Sequence, residues 1–560
     1  MHDRHFFIEF LRISKQFWCS KQKLKVRGTV FLLALLTVMQ NVMAVLLTQW
    51  SADLFNALEQ HSMHDLMIQI GMLAILFVAG IAVTGSHLAI KRNLQISWRD
   101  WLSEYVYSRW MKDGRHYLIS HLPGEHDNPD GRIAEDCRVA CDSAVVLCHS
   151  LFYSILLLIS FTEVLWSHSG VVTLDLGSVH IPIYGHLVWI AIIYSALASW
   201  LGWQVSRPLT GATNARQSAE ADFRARLLEA RENSQAIALI HANAYERQQF
   251  RELFNRIRVV WDAQTAAWRN ILMFGSGYGK LNMAFPILIA APRYIMGKIT
   301  LGVLMQSAQA FQHMVSALSW PVNNAGEIAE WRASVERILS LLKAMDDLDA
   351  ELAKDHWIQV KCSNRPVLAF HNLSIAKYNG PILAKDINME IGAGEHVLIT
   401  GNAYTAAKLF RAIARIRPWG SGIIELPCQG RLFFMPPRPH LPIGTLRNAI
   451  CYPSSRRVFT QEQIEQALRL VGLDALIDQL DQKENWAHTL ARGEQQLLGM
   501  VRLLINRPQW IFLQEAFDSL DPKEEERMLR LICDQLPDAT LLAIAHMQNG
   551  AAFFSRRLEL

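Results

Sequence analysis

The sequence predicts two domains in series: an all-α membrane domain of six spans, then an α/β domain built around a P-loop-like strand, loop and helix. Three observations carry this. Nearly all the long apolar runs lie before about residue 320. Hydrophobic residues make up 51% of the 560 and charged ones only 19%, below the soluble norm of about 25%. From residue 366 onward the pattern changes to short apolar runs separated by turn residues and one helical stretch.

A membrane-spanning helix needs about 20 mostly apolar residues. The first such run covers 29–49 and ends at Trp50. The second, 66–90, is closed by Lys91 and Arg92; the third is 145–167; the fourth, 181–203, carries Trp200 and Trp203 where an interface is expected. The fifth, 271–291, contains Lys280, and the sixth, 300–320, contains Gln306, Gln309, Gln312 and His313. Polar groups within a span usually face the bundle interior or a wet path. Glu163, inside the third span, is therefore a candidate proton carrier, with Lys280 and His313 as others. The glycine-rich run Gly275-Ser-Gly-Tyr-Gly-Lys280 follows no strand, so its small residues read as helix packing rather than phosphate binding.

Residues 1–28 hold Arg4, Arg12, Lys15, Lys21, Lys23, Lys25 and Arg27 against Asp3 and Glu9. Such an excess before the first span predicts a cytoplasmic N-terminus, and six spans return the C-terminal half to the same side. The stretches 91–144 and 204–270 then read as long amphipathic cytoplasmic helices, and 170–180 as a short outer loop or hairpin. The membrane domain is set at 29–340. A polar stretch with Asp346, Asp347, Asp349, Glu351, Lys354 and Asp355 marks a linker, 341–365, and the nucleotide-binding domain is 366–560. The net charge of +4 is too mild to argue for nucleic acid. The eight cysteines form no C-x-x-C pair and imply neither a disulfide framework nor a metal site.

A P-loop, G-x-x-x-x-G-K-[ST], wraps phosphates with backbone N–H groups, reaches the β and γ phosphates with its lysine, and holds magnesium with its hydroxyl. Here Val397–Thr400 is the strand and a helix is expected over 405–416. Between them Gly401 survives and Thr405 lies in the loop. Ala406 stands at the second glycine position, Ala407 at the lysine position and Lys408 at the hydroxyl position. Displacing a lysine by one residue on a helix turns it about 100°. Tyr378, a strand earlier, is placed to stack on adenine.

The later stations follow in order. Leu490-Ala-Arg-Gly-Glu-Gln-Gln496 is similar to the LSGGEQQ signature that faces a partner's γ-phosphate, with Gly493, Glu494 and Gln495 retained. Trp510-Ile-Phe-Leu-Gln-Glu515 is similar to the apolar strand ending in Asp-Glu; Gln514 replaces the metal-linked Asp, and Glu515 keeps the position of the general base. Pro437 stands where a metal-linked Gln is expected, and His546 where a switch histidine reads the γ-phosphate. Six stations in this order identify an ABC-type ATPase domain. With the phosphate lysine's place, the magnesium hydroxyl, the Asp and the Gln all changed, the sequence argues against efficient hydrolysis, because phosphoryl transfer rests on charge neutralisation by that ion and lysine. It leaves weak nucleotide binding through Tyr378, Gly401, Lys408 and the loop.

The membrane domain resembles the SbmA/BacA-type branch with a fused ATPase domain and, more distantly, the peroxisomal ABCD half-transporters. Trp50-Ser-Ala-Asp-Leu-Phe-Asn-Ala-Leu58 resembles the W-x-x-D-F-F-N-A-L of the branch. Trp98-Arg-Asp-Trp-Leu102, Asn128–Asp136, Glu220–Arg224, Arg231–Ala238, Pro292-Arg-Tyr294, Leu301-Gly302 and Ser319-Trp320 continue the match. The resemblance implies an ABC exporter-like fold, a homodimer in a bacterial inner membrane, ATP and magnesium as cofactors, and cargo of peptide, cobalamin or lipophilic acyl type. It also implies that relatives without an ATPase domain run on a proton gradient. Three functions stay open: an ATP-coupled homodimeric transporter, a proton-coupled transporter with a vestigial ATPase domain, and a non-transporting membrane protein that senses nucleotide.

Overall fold

The computed structural model describes residues 2–19, 23–121, 128–176, 179–354, 357–378, 380–416, 419–428, 430–454, 458–544 and 553–560. The chain divides into two units, residues 1–107 with 128–341, and residues 108–127 with 342–560.

The first unit is helical: α1 His2–Trp18, α2 Lys23–Glu59, α3 Met63–Met111 (to residue 107 in this unit), α4 Cys137–Ser169, α5 His186–Glu232, α6 Asn243–Ile295, α7 Leu301–Leu318 and α8 Ala325–Leu352 (to residue 341 in this unit). Among the described residues four helical stretches are long and apolar enough to cross a membrane; they contain the first three predicted spans and the fourth from residue 186 on. The fifth and sixth fall on α6 and α7. Helix α2 continues past Trp50 to Glu59, because Ser51–Leu58 contains no proline or glycine to stop it. The fourth span starts later than predicted, since Val179–Tyr184 pairs antiparallel with Val171–Leu176 as a hairpin, β1 and β2.

Close packing explains several motif residues. A Cβ at Gly302 would strike the Ala52 carbonyl, so only glycine lets α7 approach α2 there. The Asn56 side chain accepts the Gly302 N–H at 3.0 Å and the Glu59 carboxylate accepts that of Leu301 at 2.9 Å, so the end of α2 caps α7. Phe161 and Leu165 of α4, Leu187 and Ala191 of α5, and Phe311 and Met314 of α7 form one buried cluster. Asp136, buried, accepts two hydrogen bonds from Arg337, which raise the arginine's pKa. Helix α1 docks through aromatics: Phe17 stacks on Trp98 at 5.8 Å, and Phe10 meets Trp331 edge-on at 5.1 Å.

Among the described residues the second unit holds two large sheets and one two-stranded pairing of Gly444–Thr445 with Lys483–Glu484. One has four strands, β3 Gln359–Ser363, β4 Val367–Ala376, β5 Ile382–Gly392 and β7 Gly420–Pro427, in the order β3-β7-β4-β5. The other has five parallel strands, β6 His396–Thr400, β8 Leu432–Met435, β9 Trp510–Gln514, β10 Thr540–Ile544 and β11 Arg556–Glu559, in the order β11-β6-β10-β9-β8. Strands β9 and β10 are almost uniformly apolar and buried, as central parallel strands must be. Helix α9 Ala403–Ile413 fills the space between the sheets with Leu409, Phe410 and Ile413. A second core joins α10 Gln461–Val471, α11 Arg492–Asn506 and α12 Pro522–Gln535 around buried Trp486.

Two expectations need correction. The 341–365 linker is helical to Leu352 and already strand from Gln359; Asp346, Asp347, Asp349 and Glu351 share the helix with Leu341, Met345 and Leu348, all buried at helical spacing. The 91–144 helix is broken. Asp113 and Gly114 both take positive φ, and residues 112–121 fold as short turns. Those turns belong to the second unit. Arg109 pairs with Asp346, Arg115 with Asp349 at 2.9 Å, and the Tyr117 hydroxyl accepts from Arg411 at 3.0 Å.

Candidate functional site

The P-loop region is built differently from its sequence outline. Strand β6 ends at Thr400, Gly401 turns at φ +101°, and α9 is helical from Ala403. Residues 403 and 404, expected in the loop, are thus already the first turn of the helix. Only Gly401 could support a wrapping backbone, and Asn402 is a strong N-cap. The Asn402 side chain accepts the Thr405 N–H at 3.2 Å, which engages a donor that a phosphate would otherwise meet. The face of Gly401 is covered as well: a Cβ there would collide with the Leu560 carbonyl, which accepts the Asn402 N–H at 2.8 Å.

Lys408 is 7% exposed, and its ammonium lies 4.5 Å from the centre of the Tyr404 ring. Lys377 approaches the same ring at 5.6 Å. Tyr378 is half-buried, 5.2 Å from the ring of Trp419, itself 5.2 Å from His121. One side of the predicted adenine platform is therefore packed within its own unit.

At the end of β9, Glu515 takes a left-handed backbone (φ +45°), and its N–H donates to the Ile544 carbonyl at 2.9 Å. Such a conformation is uncommon outside glycine. Glu515 and Asp518 line an open pocket of about 690 Å³ with Gln514, Arg411, Arg438 and Arg492. Arg492 replaces the first glycine of the signature, and Arg438 follows Pro437. The residues around Glu515 are thus richer in guanidinium groups than in metal ligands.

The signature residues are engaged within the chain. Glu494 accepts the Ala491 N–H at 2.8 Å, and Gln495 donates to the carbonyls of Ala487 and Leu490, both at 2.9 Å. Gly493 allows Leu520 to pack close by; a Cβ there would meet it at 3.2 Å. Gln496, 1% exposed, joins three segments. It donates to the Pro437 carbonyl and the Asp518 carboxylate and accepts the Ser519 N–H. Sequence reasoning kept Gln496 only as a motif letter; its burial between two loops was the missed role. Asn402 was missed too, although Asn three residues before Thr405 is a recognisable cap signal. His546 lies outside the described residues.

In the membrane unit Glu163 is exposed on α4, and Lys280 is exposed on α6. His313 instead stacks on Phe161 at 4.4 Å. An unforeseen pair is His87 of α3 and His149 of α4, ring centres 4.3 Å apart, each with a buried Nε2 lacking a hydrogen-bond partner. Two histidines within apolar spans were the available signal.

Residues 14–278 match the family described as ABC transporter transmembrane region 2. Over 87% of this chain and 73% of the relative, the sequence is 30% identical to an uncharacterized ABC transporter ATP-binding protein of Synechocystis. The chain belongs to the ABC transporter family. It is a half-transporter, one membrane region followed by one ATP-binding domain. It is 27% identical to the inner membrane ABC transporter ATP-binding protein YddA of Escherichia coli, over 96% of this chain and 94% of that one. It is 23% identical to ATP-binding cassette sub-family D member 3 of the mouse, over 78% and 70%. The fold matches a bacterial Atm1-family ABC exporter with ATP bound, at a TM-score of 0.71 and 16% identity over 96% of this chain and 93% of that chain.

Proposed function

We propose that this ABC half-transporter works as a homodimer in a bacterial inner membrane, with both termini cytoplasmic. It moves peptide, cobalamin-like or lipophilic cargo, and its C-terminal domain holds the dimer rather than drives it. The supporting observation is the capped helix at Asn402 where an open phosphate loop would stand. A magnesium nucleotide held in the P-loop manner needs free backbone donors, a lysine at the β and γ phosphates and a metal-binding hydroxyl. The residues present do not fit it: the first turn is capped, Lys408 is buried on Tyr404, and Gln514 and Pro437 replace the metal-linked pair.

Within this reading the signature residues Gly493, Glu494 and Gln495 serve local packing and hydrogen bonding at the start of α11, and Glu515 lines a pocket that does not turn over nucleotide. Tyr378, Gly401 and Thr405 no longer form a nucleotide site. The test is magnesium-dependent ATP hydrolysis by the purified protein in lipid, beside Glu515→Gln. Equal, background rates are expected; a rate that the substitution abolishes would overturn the reading.

A second reading, uptake driven by a proton gradient, is favoured by Glu163, a carboxylate exposed on α4 within the third span. Glu163→Gln should abolish gradient-driven uptake of a labelled peptide in vesicles, and unchanged uptake would remove that role.

A further inference from the structure

Two of the eight cysteines meet at the edge of the four-stranded sheet. Strand β3 runs parallel to β7, with Cys362 opposite Leu426 and Ser363 opposite Pro427. Cys428 is the next residue along, and its N–H donates to the Ser363 carbonyl at 2.9 Å. Side chains alternate along a strand, so Cys428 shares the face of Leu426 and lies diagonally beside Cys362. Both residues are exposed, and the Cys362 thiol is near enough to raise the pKa of Cys428. By contrast Cys137, Cys141 and Cys451 are buried.

We propose that Cys362 and Cys428 are a redox modification site that closes to a reversible intrachain disulfide by exchange with a low-molecular-weight disulfide such as oxidised glutathione. The neighbouring Cys362 thiol raises the pKa of Cys428, which is assigned the resolving step. Cys362 makes the first attack, as its thiolate, the attacking form of a cysteine. Its thiolate attacks one sulfur of oxidised glutathione, forming a mixed disulfide and expelling one glutathione thiolate, which takes up a proton. Cys428 then loses its proton and attacks the Cys362 sulfur, expelling the second glutathione. Two electrons pass from the protein thiols to the glutathione disulfide, and the two thiol protons end on two molecules of reduced glutathione.

The bond has a structural consequence. Strand β3 is the edge of its sheet, paired only with β7. The disulfide ties that edge covalently to its single neighbour, while exposure leaves it open to reduction.

The test uses the full chain in lipid nanodiscs, equilibrated with oxidised and reduced glutathione in varied ratio, then alkylated, digested and analysed by mass spectrometry. The Cys362 and Cys428 peptides should be lost together and recovered as one linked pair within a single chain, both returning on excess reduced glutathione. Cys428→Ser should convert Cys362 into a stable glutathione adduct. Separate glutathione adducts on the two cysteines of the wild-type chain, alkylation of both at every ratio, or a link only between two chains would each overturn the proposal.

Discussion

Replacing Asn402 with alanine removes the side-chain oxygen that accepts the Thr405 N–H at 3.2 Å. Loss of such a cap costs about 1 kcal/mol. For a unit the size of residues 342–560, that lowers the unfolding temperature by roughly 2–4 °C. The same change frees a backbone donor at the start of α9, where an anion is favoured by the helix dipole. If α9 is a structural helix and no longer a phosphate cradle, the freed donor gains nothing from nucleotide, because Lys408 is still buried and Gly401 still lies against Leu560. Scanning calorimetry in nanodiscs should show the modest fall. Titration with a fluorescent ATP analogue and magnesium should show no tighter binding than the wild type. A ten-fold gain in affinity, about 1.4 kcal/mol, would mean that Asn402 plugs a working site, and the argument from the capped helix would fail.

Gln496→Leu should cost about 3 kcal/mol, since it leaves the Pro437 carbonyl, the Asp518 carboxylate and the Ser519 N–H without their buried partner; thermal unfolding reads it directly. Gly302→Ala should cost about 2 kcal/mol through overpacking against Ala52, seen as lost monodispersity in size-exclusion chromatography. Burial acts to raise the Glu395 pKa, but hydrogen bonds from Arg556 and the Gly392 N–H outweigh it and hold the carboxyl below its ordinary value. A depressed carboxyl stabilises above its unfolded pKa and loses that contribution as pH falls through the folded one. The stability difference between the wild type and Arg556→Ala should therefore be present at neutral pH and shrink in acid, in parallel denaturation curves.

The fold was legible because its signals are local. Apolar runs marked α2, α3, α4 and α5, and the apolar run before Glu515 marked β9. The motif Trp50–Leu58 was recognisable as a string, but its work, Asn56 and Glu59 capping α7, joins residues more than 240 positions apart. The broken helix at Asp113-Gly114 was missed because helical periodicity on either side outweighs a two-residue turn signal.

The candidate site divides in the same way. The order of the ABC stations and each replaced residue could be read directly, because chemical identity is a property of the chain. Whether Gly401–Lys408 wraps or coils could not, because that depends on Asn402 meeting Thr405 and on Leu560 covering Gly401. The sequence by itself determined which groups are available: one glycine, a displaced lysine, Glu515 and Asp518, and three arginines. Only the tertiary structure decided where they point. Burial of Lys408 against Tyr404, Gln496 between two loops, and Cys362 beside Cys428 all arise from contacts across strands and helices that no local pattern encodes.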